Sequence, residues 1–206
     1  MNRHPQELER FTPRERINHW LVAIGFVLMA LSGLAFFHPA FWPLVQLFGG
    51  GVWARILHPY IGLGLVILFA FLFVRFRSLN GLRPGDWEWL KRIGELLKGG
   101  DRGMPPQEKF NAGEKLMFWA LSLCLLLLAL SGLCIWRAFY SLPVEIVRLA
   151  SLVHAALGAA MIGLIFGHIY AALWTKGAIP AMVYGTVSRA WAKHHHLLWY
   201  RRMTGN

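Results

Sequence analysis

Charged residues divide this chain into blocks. No Asp, Glu, Lys or Arg falls between Arg16 and Arg55, and the apolar part of that interval runs from about Trp20 to Phe37. Ile56–Val74, Leu116–Trp136 and Leu149–Thr175 are charge-free runs of 19, 21 and 27 residues. About 20 apolar residues carry a helix across a hydrocarbon core, and buried helices of soluble domains are rarely so long and so free of charge. The pattern predicts four transmembrane helices, about 17–37, 54–76, 112–136 and 149–175, in an all-α integral membrane protein. A long polar segment precedes the first and no small-residue cleavage site follows it, so it reads as a span and not as a cleaved leader.

The polar blocks have patterns of their own. In the loop 77–111, Asp86 is placed to cap a short helix, Trp87–Leu97, whose Trp87, Leu90, Ile93 and Leu97 form an apolar stripe suited to the membrane surface or to a partner protein. The tail, 176–206, interleaves Trp191, Trp199 and Tyr200 with Lys193, Arg201 and Arg202, and reads as an interfacial basic segment. His194, His195 and His196 within it lack the carboxylate or cysteine companions of a metal site and read as solvated basic residues.

Composition agrees with membrane spans. Hydrophobic residues make up 56% of the 206 and charged residues 15%, against about 25% in soluble chains. So much apolar surface excludes intrinsic disorder. The net charge of +11 comes from 21 Lys+Arg against 10 Asp+Glu, which taken alone suggests a nucleic-acid binder. The distribution of the bases says otherwise. Eighteen lie in 1–16, 75–115 and 176–206, and only Arg55, Arg137 and Arg148 lie in the other two connections. Basic residues concentrate on the cytoplasmic side, so both termini and the long loop are expected there. The charge is thus a topology signal with lipid-facing consequences, and no nucleic acid is expected as a partner. Cys124 and Cys134 form no CxxC or CxxCH motif, which argues against covalent haem, iron–sulfur and cysteine–zinc chemistry.

The two halves resemble each other. Residues 19–37 align with 118–136 at an offset of 99 with seven of 19 identities, centred on Ala-Leu-Ser-Gly-Leu at Ala30–Leu34 and Ala129–Leu133. The next span in each half carries a His with Gly four residues later, His58/Gly62 and His154/Gly158. A duplicated helix pair accounts for this, with chance similarity among Leu-rich helices as the competing source.

Histidine is almost the sole chemistry-bearing residue inside the spans, and such residues in a membrane default to function. His19 lies near the cytoplasmic end of the first span and His58 at the outer end of the second. On the fourth, His154 and His168 are 14 residues apart, close to four whole turns and about 21 Å, so both project from one face. The four sort by depth into an outer pair, His58/His154, and an inner pair, His19/His168. Iron in haem takes two axial ligands and neutral imidazole suits it, so two bis-histidine b haems use all four. Gly62, Gly158, Gly163 and Gly167 would let a flat macrocycle approach the backbone. Proton relays usually need intramembrane carboxylates, which these spans lack, and zinc needs its ligands at one point.

Two haems across a bilayer conduct electrons, commonly to a lipid-soluble quinone. The chain has no flavin, nicotinamide or phosphate fingerprint, so the donor belongs to other subunits. Asn111-Ala-Gly-Glu114, at the cytoplasmic start of the third span and at the depth of His168, reads either as a quinone contact or simply as a helix start capped by Asn111.

Several motifs resemble one family. Arg16-Ile-Asn-His-Trp20, Ser32-Gly-Leu-Ala-Phe-Phe37, Arg55-Ile-Leu-His-Pro59, Val74-Arg-Phe76, Phe110-Asn-Ala-Gly113, Gly132–Arg137, His168–Gly177 and Gly185–His195 are similar to those of the cytochrome b (gamma) subunit of membrane-bound respiratory formate dehydrogenase. The resemblance runs from about Phe11 to Arg202. It implies a four-helix bundle binding two haem b, in the bacterial inner membrane, that anchors an iron–sulfur subunit and a molybdenum- or tungsten-pterin catalytic subunit. Formate oxidation would occur on that periplasmic partner, with quinone reduced at this subunit. The implied haem ligands are His19, His58, His154 and His168, and the implied quinone contacts are Asn111, Gly113 and His168. Glu114 departs from the family's frequent Gln, and His38 is not assigned to haem. A cytochrome b anchor of hydrogenase or thiosulfate reductase, a stand-alone transmembrane haem reductase and a haem-free transporter are the alternatives.

Overall fold

The structure, a computed structural model, describes residues 7–98, 103–136 and 141–205. Arg3, Arg102 and Arg137, counted above among the bases, lie outside them. Four helices are long and apolar enough to cross a membrane: α1 Pro13–Phe37, α2 Gly51–Phe76, α5 Ala112–Ile135 and α6 Val144–Trp174. The short elements are α3 Pro84–Lys91, α4 Ile93–Leu97, α7 Ala178–Tyr184, α8 Arg189–His195, α9 Leu197–Thr204, and the strands β1 Glu7–Glu9 and β2 Thr186–Ser188. A 3-10 helix, Pro39–Phe48, follows α1. Ile24, Phe71, Leu126, Leu152, Phe166 and Leu173 are more than half exposed. Long helices presenting large aliphatic and aromatic side chains outward have lipid as their natural solvent.

The chain divides into two compact units. One comprises Ile17–Phe73 and Ala120–His168, that is, most of α1, α2, α5 and α6. In this helical unit a Cβ on Gly25 would lie 3.3 Å from Leu65, and one on Gly62 would lie 3.1 Å from Met29, so α1 and α2 pack closely at both levels. Asn18 Nδ2 donates to Leu68 O at 3.2 Å, and Cys124 Sγ lies 3.5 Å from Leu157 O. Both cysteines are free thiols.

The other unit comprises the chain up to Arg16, Val74–Trp119 and the segment from Ile169 onward. The 99-residue repeat extends into it. Thr12 and Glu15 open α1 with a reciprocal cap (Thr12 N to Glu15 Oε2, 2.9 Å; Glu15 N to Thr12 Oγ1, 3.4 Å). Asn111 and Glu114 open α5 in the same way at 2.8 and 2.9 Å. Each cap satisfies backbone N–H groups that a helix start leaves without partners. Phe11 and Phe110, one residue before each cap, have ring centroids 6.2 Å apart, and Lys109 Nζ sits 5.0 Å from the Phe11 ring centre. Burial pushes the Lys109 ammonium pKa down from its ordinary value, helped by the neighbouring Arg10 and Arg75 charges and opposed by Glu15 and Glu9.

Two readings of the polar segments change. The helix expected over 87–97 starts at Pro84 and breaks at Arg92, and Asp86 occupies its third position, where the carboxylate accepts the Arg83 N–H at 2.6 Å. Proline at the first helical position sets the start earlier than an Asp cap would. Asp86 and Trp89 are the buried residues of α3, whereas Trp87 is 66% exposed. Asp86 also accepts both a 2.7 and a 2.9 Å bond from Lys115 Nζ, which is 1% exposed, so α3 is clamped to the start of α5.

The tail is folded rather than solvated. β2 pairs antiparallel with β1, Leu8 opposite Val187, and the Arg10 and Phe11 N–H groups both donate to Gly185 O, at 2.8 and 3.0 Å. Gly185 has φ +89°, and a Cβ there would meet Phe11 O at 2.6 Å. Gly185→Ala is therefore expected to cost about 1–3 kcal/mol, read as faster proteolysis of the tail in the purified protein.

His196, expected in solvent, is 1% exposed. Its Nδ1–H donates to Glu108 O at 2.6 Å and its Nε2 accepts from Arg10 at 3.2 Å. Burial pushes its pKa down to about 3, Arg10 and His195 adding to the effect and Glu114 opposing it. The unfolded tail would bind the proton near the ordinary value of about 6.5, so the folded form is favoured fully above that pH. Its stability falls as pH drops from about 6.5 toward 3. Thermal denaturation of this unit at pH 7.5 and 5.0 is expected to show that loss, with a flatter profile for His196→Gln.

Candidate haem site

All four predicted histidines lie in the helical unit, and they meet in two pairs. His58 of α2 and His154 of α6 have ring centroids 6.3 Å apart. His19 of α1 and His168 of α6 have them 6.2 Å apart. Because 14 residues separate His154 from His168 on one helix, the pairs occupy levels about 21 Å apart along α6.

The orientation of the His58 and His154 imidazoles comes from residues to which the sequence assigned no role of their own. Ser32 Oγ is 2.7 Å from His58 Nδ1, and Ser131 Oγ is 3.0 Å from His154 Nδ1. These are the serines of the repeated Ala-Leu-Ser-Gly-Leu motif, 99 residues apart. The glycines that follow them complete the contact. A Cβ on Gly33 would lie 3.7 Å from His58 Cε1, and one on Gly132 would lie 3.2 Å from His154 Cε1. The repeat was therefore the available signal, and its Ser-Gly step is what touches the histidines.

Other predicted positions differ in what surrounds them. Beside Gly158 and Gly163 there is open space, with no heavy atom within 4 Å of an added Cβ, as a flat ring against α6 requires. Gly62 instead packs on Met29. His19 Nδ1 is buried with no hydrogen-bond partner among the described residues. His38 belongs elsewhere: its Nδ1 accepts the Ala40 N–H at 3.1 Å and caps the 3-10 helix. Asn111 Oδ1 is taken by the α5 cap, and Gly113 packs on Trp89, whose ring an added Cβ would approach to 3.3 Å. Thr12 makes the equivalent cap in the first half, so helix capping alone accounts for the described contacts of Asn111. No group of three or more His, Cys, Asp or Glu is placed to hold a metal ion among the described residues.

The sequence profile of the family described as prokaryotic cytochrome b561 matches residues 10–185, most of the chain. The chain belongs to the prokaryotic cytochrome b561 family. It is 42% identical over 191 residues to the formate dehydrogenase, nitrate-inducible, cytochrome b556(Fdn) subunit of Escherichia coli K12, covering 92% of this chain and 88% of that one. Identity to the formate dehydrogenase cytochrome b556(fdo) subunit of the same organism is also 42%, over 199 residues, 94% of this chain and 92% of the relative. The formate dehydrogenase cytochrome b556 subunit of Haemophilus influenzae is 36% identical over 188 residues, 90% of this chain and 79% of the relative.

Membership makes this a multi-pass membrane protein whose cofactor is haem b, and the paired histidines fit that group. A metal atom bonded at about 2.0 Å to one nitrogen of each of two imidazoles would hold the rings about 6 Å apart between centroids. The two pairs stand at 6.2 and 6.3 Å. A separation of that size leaves room for one metal atom between the two rings of each pair.

Proposed function

We propose that this cytochrome b is the membrane anchor of a respiratory formate dehydrogenase, and that it carries electrons across the bacterial inner membrane to quinone. The observation that carries the proposal is the two histidine pairs at bis-imidazole spacing on two levels of one helical unit. His58 and His154 hold the outer haem b, and His19 and His168 hold the inner one. Bound haem supplies one-electron exchange between ferric and ferrous iron. The distribution of bases supports a cytoplasmic position for both termini and the long loop, which puts the His58/His154 level toward the periplasm. Electrons then arrive from an iron–sulfur subunit at that level and leave at the His19/His168 level.

Quinone reduction belongs near the cytoplasmic side, with His168, Asn111 and Gly113 as its contacts. This part rests on the family resemblance. Protons taken up inside, while formate oxidation on a molybdenum- or tungsten-pterin subunit releases them outside, separate charge across the membrane.

The test is a reduced-minus-oxidised spectrum with haem stoichiometry on the complex purified through this chain. The expected result is two haem b per chain, reduced by formate, with iron–sulfur and pterin subunits co-purifying. One haem per chain would overturn the pairing. Co-purification with hydrogenase or thiosulfate reductase subunits would keep the anchor and replace its donor.

A further inference from the structure

Ser32 and Ser131 are both shielded from solvent, at 0% and 8% exposure. A serine in an apolar helix ordinarily satisfies itself by donating to the carbonyl one turn back. Both do this: Ser32 Oγ donates to Leu28 O at 2.9 Å and Ser131 Oγ to Leu127 O at 2.7 Å. Neither needs a further partner, yet each takes an imidazole Nδ1 as a second one. A hydroxyl has a single proton. When that proton lies on the carbonyl, Oγ faces the imidazole as an acceptor, and the Nδ1 of His58 and of His154 then carries hydrogen. In each neutral ring Nε2 is left with a lone pair, the form in which it binds iron. Donation to the carbonyl also polarises the hydroxyl and makes it a better acceptor.

We propose that Ser32 and Ser131 are positioning residues of the outer haem, holding both axial imidazoles in the Nδ1–H tautomer and keeping that haem's reduction potential low. The proposal rests on the haem reading above. An axial histidine whose second nitrogen donates a hydrogen bond is a more basic ligand, and a more basic ligand favours ferric over ferrous iron. The effect is applied twice at one centre, by the two copies of one repeated motif. At the inner level His19 Nδ1 receives no such acceptor among the described residues.

The experiment is redox titration of the haems in the intact complex carrying Ser32→Ala, Ser131→Ala, both, or the Thr variants that restore a hydroxyl. Removal of both is expected to shift the outer haem's reduction equilibrium about tenfold toward ferrous, which is 59 mV for a one-electron couple. Each single change gives part of that shift. The outer haem's low-spin ferric EPR signal should move as well, while the inner haem stays put, and Thr should restore both readouts. Selective loss of the outer haem from the double variant, recovered with Thr, also supports the proposal. Unchanged potentials with both haems bound would overturn it, as would a shift confined to the inner haem. The haem reading fails separately, by wild-type complex that lacks two haems per chain.

Discussion

His58→Ala is expected to leave the complex with one haem per chain, the inner one, and His168→Ala with only the outer. On the proposed assignment each substitution removes one of the two imidazoles that would hold a haem, whose rings stand 6.2 and 6.3 Å apart in their pairs. His154→Ala should reproduce the spectrum of His58→Ala, and His19→Ala that of His168→Ala, because loss follows the pair and not the helix. Electron transfer from formate to quinone should fall to background in all four. His38→Ala is the control: it removes a cap of the 3-10 helix and should retain both haems. Two haems in His168→Ala would refute the pairing, and selective loss of the inner haem in His58→Ala would invert the levels.

Asp86→Ala should be the most destabilising change away from the histidines. Lys115 Nζ, 1% exposed, has both its side-chain bonds on the Asp86 carboxylate, at 2.7 and 2.9 Å. Deleting that carboxylate leaves an ammonium buried without a counter-charge, a loss of about 3–5 kcal/mol. It also removes the acceptor of the Arg83 N–H at the start of α3. Replacing both partners, Asp86→Leu with Lys115→Met, should recover much of the loss, since the desolvation penalty disappears with the charges. Thermal denaturation of the four proteins closes the cycle, and a double variant as unstable as the sum of the singles would show that the pair is not coupled. Because α3 also supplies Trp89 to Gly113, quinone reduction should be tested in parallel with stability.

The four long helices were legible because charge exclusion over about 20 residues is a local property that lipid enforces on every residue of a span. The histidine pairs were legible for a related reason. A helix has a fixed rise, so charge-marked ends convert sequence position into depth, and depth alone matched His58 with His154 and His19 with His168. The serines were half-visible: the Ala-Leu-Ser-Gly-Leu repeat was plain, but serine in an apolar helix looks the same whether it bonds only its own backbone or also reaches a neighbour. His196 and Asp86 misled for the opposite reason. A histidine in a basic tail and an aspartate before a Trp carry ordinary local signals of solvent and of capping, and distant segments overrode them.

What the sequence determined by itself was the spans, their expected direction and which histidines share a level, all consequences of helical rise and of the bilayer's intolerance of charge. The tertiary structure decided which atoms serve those histidines. It put Ser32 and Ser131 on Nδ1, tied the tail to β1, buried His196 between Arg10 and Glu108, and clamped Lys115 on Asp86. These contacts join residues up to 186 positions apart. No local pattern encodes such pairings, because buried polar groups take whichever partner the packed chain brings within hydrogen-bond reach.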